Sequence, residues 1–357
     1  MATARATTPR DQDRTGPEGL FGDWLTRGKD GVLTVWAPAD GAVLRWTESA
    51  SGWSGPERLP APGLLPLLTV AQGADGYVHL VGMRRAGDGD EVELVHAVQF
   101  QTGRPLLGWH SLGHPNKVAR FTGHPATAVD GAGRLCLFLR NGGTGVSCRI
   151  QGERGGWGRW QDLGGSGVGE ILAAAADGEG LVEVFVPDQK SIARYTQEKR
   201  GAPFSLADRL DVRSAPGAFS ALATTSGSVS LFFTDEDGAI QVWAPQREPD
   251  PRPLMEAAGS GPLALTRTVI DGYDCTILAQ EADRGRVAFA AYPTEEESAG
   301  SWWTHTSTGA SQVPLALREQ ASGGLIALAL DDDGRPIATR QKTEAGGFAL
   351  GRWKPLT

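Results

Sequence analysis

Four histidines crowd one stretch of this chain. His96, His110, His114 and His124 follow one another closely, and His114 and His124 share a Gly-His-Pro context. Lys117 and Arg120 stand between those two, and Asp88, Asp90 and Glu91 lie shortly upstream. A histidine titrates near neutrality, so beside a carboxylate it can serve as a general acid or base. His114 and His124 are therefore the candidate catalytic residues, if a reaction is catalysed at all. The alternative reading is that they are solvated loop residues.

Other chemistry-bearing residues give less. The acidic runs Asp331-Asp332-Asp333 and Asp235-Glu236-Asp237 offer oxygen ligands, but Ca²⁺ requires six to eight, taken from alternating positions of a longer loop. Histidines and cysteines show no zinc spacing. No metal and no cofactor is expected. Cys136 and Cys148 flank the hairpin LCLFLRNGGTGVSCRI symmetrically and could face each other across a strand pair. Cys275 is the third cysteine, and so odd and small a number is not a disulfide framework. There is no GxSxG, P-loop, HExxH or dinucleotide fingerprint.

Composition narrows the partners. The formal net charge is −8, with no basic cluster to offset it, so nucleic acid and anionic membranes are not expected partners. No apolar run approaches the length of a membrane span, and the first residues lack the apolar core of a secretory signal. A cytoplasmic location is the default expectation. Residues 1–17 read as a flexible lead-in, and 18–357 as one domain.

The elements that must position these residues are strands. Glycine occurs 49 times, spread along the chain, as tight turns between many short strands require. Seven equivalent segments can be aligned: VLTVW from Val32, YVHLV from Tyr77, RLCLF from Arg134, LVEVF from Leu181, SVSLF from Ser228, DCTIL from Asp274 and LIALA from Leu325. Most follow a glycine-bearing turn. Most precede a second turn, and Asp-Gly at Gly41, Gly238 and Gly334 predicts type I′ hairpins there. Each unit holds four strands; in the first they are LFGDWLTRG, VLTVWAP, AVLRWTES and WSGPERLP. The fold class is all-β: a seven-bladed β-propeller with four antiparallel strands per blade. Two stacked β-sandwiches are the alternative. Even ILAAAADG, helical by propensity, falls in register as an inner strand. Units begin at the inner strand and end at the outer one, so the two chain ends share no blade.

Within this frame Arg27, Gln72, Arg267, Arg318, Glu319 and Gln320 fall on or near strands lining an axial channel, with Asp23 and Glu170 at the starts of two. If Arg27, Arg267, Arg318 and Glu319 point inward together, they form a pocket for a polar or anionic ligand.

The stretch GWGRWQDLGG closes blade three with Trp157 and Trp160. Single tryptophans echo it at Trp53, Trp109 and Trp353, with Trp302 and Trp303 in blade six. This pattern resembles the seven-bladed propeller lectins of the Photorhabdus fucose-binding type, whose blades end in a W-x-x-W-x-x-L-G-G-like stretch. The resemblance implies a sugar in a pocket between blades, against Trp157 and Trp160 first and Trp53, Trp109 or Trp353 next. Blades four and five lack the tryptophans. The competing reading is that these indoles only pack blade against blade. The leading expectation is thus a non-catalytic module binding a glycan or small-molecule ligand. The alternatives are a propeller enzyme of small-molecule metabolism, acting on the His114/His124 face or in the channel, and a protein-interaction scaffold.

Overall fold

A computed structural model of the protein describes residues 19–86, 91–116, 121–282, 285–309, 314–342, 344 and 346–356. It is a seven-bladed propeller in which every blade is an antiparallel four-stranded meander. Leu25–Arg27, Leu64–Gln72, Ala126–Val129, Ala173–Ala176, Ser214–Ala223, Leu263–Ile270 and Leu315–Glu319 are the inner strands of blades one to seven. A 3-10 turn, Glu297–Ala299, lies between strands of blade six.

The repeat sets the packing. Trp36, Val81, Phe138, Phe185, Phe232, Leu278 and Ala329 end the seven aligned segments, and each has no exposed surface. They stand on the second strand of their blades, where side chains of one sheet meet those of the next. Burying a side chain of that size stabilises by roughly 1.5–3 kcal/mol. Near the axis the strands crowd together, which the run Ala173–Ala176 satisfies with methyl groups alone.

Turns differ from expectation in type. At Asp235–Gly238 and Asp331–Gly334 only the glycine has positive φ (83° and 72°), and its N–H donates to the first aspartate's carbonyl. These are ordinary turns closed by a glycine bulge, not type I′. The first aspartate's Oδ1 accepts two further backbone N–H groups in each. The type I′ form occurs at Asp271-Gly272, where both φ values are positive (50° and 86°) and Ile270 pairs with Tyr273. On the opposite end of the inner strands, turns of neighbouring blades touch through backbone. A Cβ on Gly180 would lie 2.4 Å from the Cα of Gly131, and Gly131 N–H donates to Gly180 O at 2.9 Å.

The first segment is not one strand. LFGDWLTRG divides at Asp23-Trp24. Leu25–Arg27 opens blade one, whereas Gly19–Gly22 lies inside the channel, parallel to the inner strand of blade two, with Phe21 opposite Thr69. Gly22 permits the break: its φ is 69°, and a Cβ there would stand 2.2 Å from Val70 O.

The chain ends share no blade, so blades one and seven meet by side chains only. An apolar cluster joins Trp24, Leu25 and Trp36 to Ala316, Ile326 and Leu328. Polar ties reinforce it. Arg27 Nη1 donates to Glu319 O (3.0 Å), Arg318 Nη2 to Gln72 Oε1 (2.8 Å), and Arg340 Nη2 to Glu48 Oε1 (2.9 Å). Every other junction adds a covalent connection. We expect backbone amides of Leu25–Arg27 and Leu315–Glu319 to exchange with deuterium before those of the other inner strands. Equal protection around the ring would show that this seam opens no sooner than its neighbours.

Candidate functional site

The axial residues of the sequence converge in part. Gln72 is their hub: its Oε1 accepts from Arg27 N–H (3.0 Å) and from Arg318, and its Nε2 donates to Arg27 O (2.9 Å). Asp23 stands 4.0 Å from Arg318, and Glu319 Oε1 accepts from Thr268 Oγ1 at 3.3 Å. Arg27, Arg318 and Glu319 are thus engaged in holding blades six, seven, one and two together. Arg267 is apart from them. It pairs with Asp274 and reaches Ala223 O and Thr225 Oγ1 of blade five. The channel itself, about 260 Å³, is lined mainly by Leu20, Val70, Ala173, Ala221, Leu265 and Leu317. An anion-binding cluster of four inward arginine and glutamate side chains is not what the structure builds.

His114 and His124 share no hydrogen bond or ring contact among the described residues. His114 lies near Glu93. Burial opposes that carboxylate's charge, but hydrogen bonds from Ser111 and Arg84 and the charges of Arg84 and His114 lower its pKa overall. His124 stands at the channel mouth, its ring 5.2 Å from that of Phe21. Both histidines have a sealed Nδ1 without a partner. Asp88, Asp90, Lys117 and Arg120 lie outside the described residues. No group of three or more histidine, cysteine, aspartate or glutamate side chains suited to a metal occurs among the described residues. Cys136 and Cys148 are buried free thiols, set diagonally, since Cys136 pairs with Ile150 and Cys148 with Phe138.

The tryptophans divide into two kinds. Trp53 and Trp109 pack against the cluster shared by blades seven, one and two. Trp157 and Trp160 precede the short outer strand Gln161–Gly164 and are half-buried between blades two and three. Arg149 lies over both rings, 5.9 and 5.7 Å from their centroids, and is itself fixed by Gly158 O at 2.7 Å and by Leu112 O. Trp160 Nε1 donates to the same Leu112 carbonyl at 3.1 Å.

Blade seven repeats this layout with two changes, the first being Leu350 in the place of Trp157. Gln151 and Gln341 occupy equivalent places, donating to Leu135 O and Leu325 O and accepting from the same residues' N–H through Oε1. Trp353 then corresponds to Trp160, and its Nε1 donates across the junction to Thr306 Oγ1 of blade six at 2.9 Å. Where Arg149 bonds Gly158 O, the short Thr339 bonds Gly351 O at 3.0 Å. No guanidinium covers Trp353 among the described residues. A recess of about 380 Å³ lies against it instead, walled by Thr308, Asp331–Asp333, Ile337 and Lys354. It combines an indole, carboxylates, a hydroxyl and an ammonium group. That is the chemistry a sugar requires: an aromatic ring for its C–H face and fixed polar groups for its hydroxyls. The acidic run considered as a metal loop is one wall of this recess.

A larger recess, about 480 Å³, opens at the channel mouth between blades three, four and five, lined by His124, Glu170, Phe21, Ile171, Asp188 and Phe219 among others. Phe21 belongs to the N-terminal strand, and no sequence signal marks Phe21, Ile171 and Phe219 as neighbours. Arginines on third strands were likewise missed. Arg45, Arg149 and Arg194 are buried or half-buried against Glu57, against Trp157 and Trp160, and against Glu183 and Asp208.

No family model and no curated protein matches the chain. Solved structures do. The lectin BP39L from Burkholderia pseudomallei aligns over 93% of this chain and 97% of its own, with a TM-score of 0.69 and 17% identity. A putative 6-phosphogluconolactonase from Bacteroides uniformis aligns over 91% and 98%, with a TM-score of 0.61 and 12% identity. The Aleuria aurantia lectin, as a point mutant in complex with Fucα1-6GlcNAc, aligns over 82% and 97%, with a TM-score of 0.50 and 12% identity. The protein has the β-propeller fold that these lectins share with the lactonase.

One buried pair bears on the blade two–three junction. His79 Nδ1 and His96 Nε2 are 3.0 Å apart, and both rings are almost fully buried. His96 meets the ring of Trp157 edge-on at 5.3 Å. One nitrogen donates and the other accepts, so the accepting ring is neutral, and burial disfavours charge on either. Burial lowers both pKa values, and the neighbouring His79 and His110 lower that of His96 further. The unfolded chain therefore takes up protons first as pH falls below about 6.5. Stability from this pair is full above that pH and is lost below it, by up to about 1.4 kcal/mol per pH unit for each ring. Urea unfolding at pH 7.5 and 5.5 should show the loss, and a His79→Leu/His96→Leu double variant should flatten it. Equal stability of the parent protein at both values would refute the assignment.

Proposed function

We propose that this protein is a non-catalytic carbohydrate-binding propeller whose sugar site is the recess beside Trp353, between blades six and seven. The observation that carries this reading is the contrast between Trp160 and Trp353. They are equivalent residues, but Arg149 covers the first, whereas the second borders a recess with carboxylates and an ammonium group. The lectin propellers of similar fold support a sugar ligand; one of them is described in complex with Fucα1-6GlcNAc. A lectin built from equivalent blades presents several sites and gains avidity from them. Here the equivalence has been lost, and one site per chain is the expectation.

A phosphosugar lactonase reading fits the recesses less well. The recess at the channel mouth holds His124 beside Glu170, but among the described residues no lysine or arginine lines it to meet a phosphate.

Glycan-array binding with fucosylated and unrelated glycans, followed by titration of the best ligand, tests the proposal. Trp353→Ala should weaken binding by at least about tenfold, since ring stacking and buried area are both removed. Trp157→Ala and Trp160→Ala should leave it nearly unchanged. Loss on Trp160→Ala with Trp353→Ala intact would move the site to blade three. Absence of any glycan ligand would overturn the reading.

A further inference from the structure

We propose a second ligand site, independent of the sugar site, at the channel mouth: it takes a neutral aromatic alcohol, its ring between Phe21 and Phe219 and its hydroxyl against His124 and Glu170. The recess there has about 480 Å³, within the range of small-molecule pockets. Its position follows from the fold. Gly167, Gly169 and Glu170 belong to the bridge from blade three to blade four; Pro187, Asp188 and Gln189 to a hairpin of blade four; Ser214 and Phe219 to the inner strand of blade five. Gly169 N–H donates to Pro187 O at 2.8 Å, which fastens bridge to hairpin. The wall toward the axis is Phe21, supplied by the strand inserted alongside blade two.

The lining selects the ligand. Phe21, Ile171, Pro187 and Phe219 present apolar surface from several sides. A sugar, with hydroxyls around its whole edge, would leave some of them buried without partners there. An aromatic ring would not. The two carboxylates are already paired, Glu170 with Arg140 at 2.8 Å and Asp188 with Arg209 at 2.9 Å. With no lysine or arginine in the lining among the described residues, an anionic ligand finds no counter-charge, and a cation finds carboxylates already neutralised. A neutral ligand is what remains.

His124 specifies the polar end. Burial lowers its pKa, so it is uncharged at neutral pH. Its Nδ1 is sealed and has no partner. An orphaned acceptor is tolerated better than an orphaned N–H, so the proton resides on Nε2. Nε2 is also the nitrogen through which the ring can meet a ligand. A hydroxyl can accept from that N–H and donate to a Glu170 oxygen. A single phenolic group satisfies both.

The probe is p-cresol, with p-toluate as its anionic counterpart and methyl α-glucoside as a polyol, each titrated against the full chain by ligand-observed NMR and calorimetry. p-Cresol should bind with a dissociation constant of about a millimolar, as suits so small a molecule. p-Toluate and the glucoside should bind at least about tenfold more weakly at this site. Phe21→Ala and Ile171→Glu should each weaken p-cresol binding by about tenfold, and Trp353→Ala should not change it. Ile171 is partly exposed, so its variant tests the site even where loss of Phe21 perturbs the N-terminal strand. No p-cresol binding, equal binding of p-toluate, or binding indifferent to Ile171→Glu would each overturn the proposal. Failure here leaves the sugar reading untouched, since that reading stands on Trp353.

Discussion

The ring must close without a shared strand, and much of the molecule's asymmetry can be traced to that constraint. Six junctions have a covalent bridge; the seventh has an apolar cluster and a few hydrogen bonds around Gln72. The first described strand lies inside the channel. Gly19–Gly22 hydrogen-bonds to the inner strand of blade two before the polypeptide crosses back to begin blade one. The first segment is thereby held on both sides of the seam: through Asp23 N–H to Val70 O, and through Trp24 and Leu25 in the apolar cluster. Three of the polar residues that look like an axial binding site in the sequence, Arg27, Gln72 and Arg318, are used for this closure. Their hydrogen-bonding capacity is directed to one another, and the channel is lined by apolar side chains together with Asp23, Thr69, His124, Thr127 and Ser220.

The same division of labour holds farther out. An arginine between blades can cover an indole and bond carbonyls of two blades at once, as Arg149 does with Gly158 and Leu112. Arg194 is engaged differently, paired with the carboxylates of Glu183 and Asp208 on the neighbouring strands of its own blade. Such residues sit where lectin-like chemistry would be sought, yet they are occupied with packing. A tryptophan near the rim is therefore a poor indicator of a ligand by itself. What distinguishes one from another is whether a neighbouring side chain already lies on its face.

The architecture was legible because its signals are local and repeated. Seven segments at steady spacing, each ending in a residue that proves fully buried, determine the second strand of every blade. The alanine run from Ala173 shows tertiary context overriding helix propensity. The turn chemistry was read less well. Both residues take positive φ at Asp271-Gly272, whereas at Asp40-Gly41, Asp235–Gly238 and Asp331–Gly334 the glycine alone does, so the expected type I′ turns are not formed there. The break in LFGDWLTRG was not legible, since it depends on Gly22 meeting Val70 O from a strand far along the chain. Site residues fared unevenly for a similar reason. Trp353 carries a local signal, and its recess adjoins the acidic turn of its own blade. Phe21, Ile171 and Phe219 come from separate segments and carry no shared pattern.

Divergence among the blades gives the two proposed sites their separate origins. In a propeller of equivalent units a ligand site recurs, and one substitution cannot remove it. Here Arg149 in blade three and Thr339 in blade seven occupy equivalent places; the guanidinium lies over Trp160, whereas Trp353 packs against Phe289, their ring centroids 6.3 Å apart, and borders the recess. The channel mouth has no counterpart of this kind. Phe21 is supplied by a strand that lies outside the sevenfold repeat, so only the blades nearest it can share its ring. Loss of symmetry at the rim leaves the recess beside Trp353, and the strand inserted at the axis creates a place that no repeated unit could build.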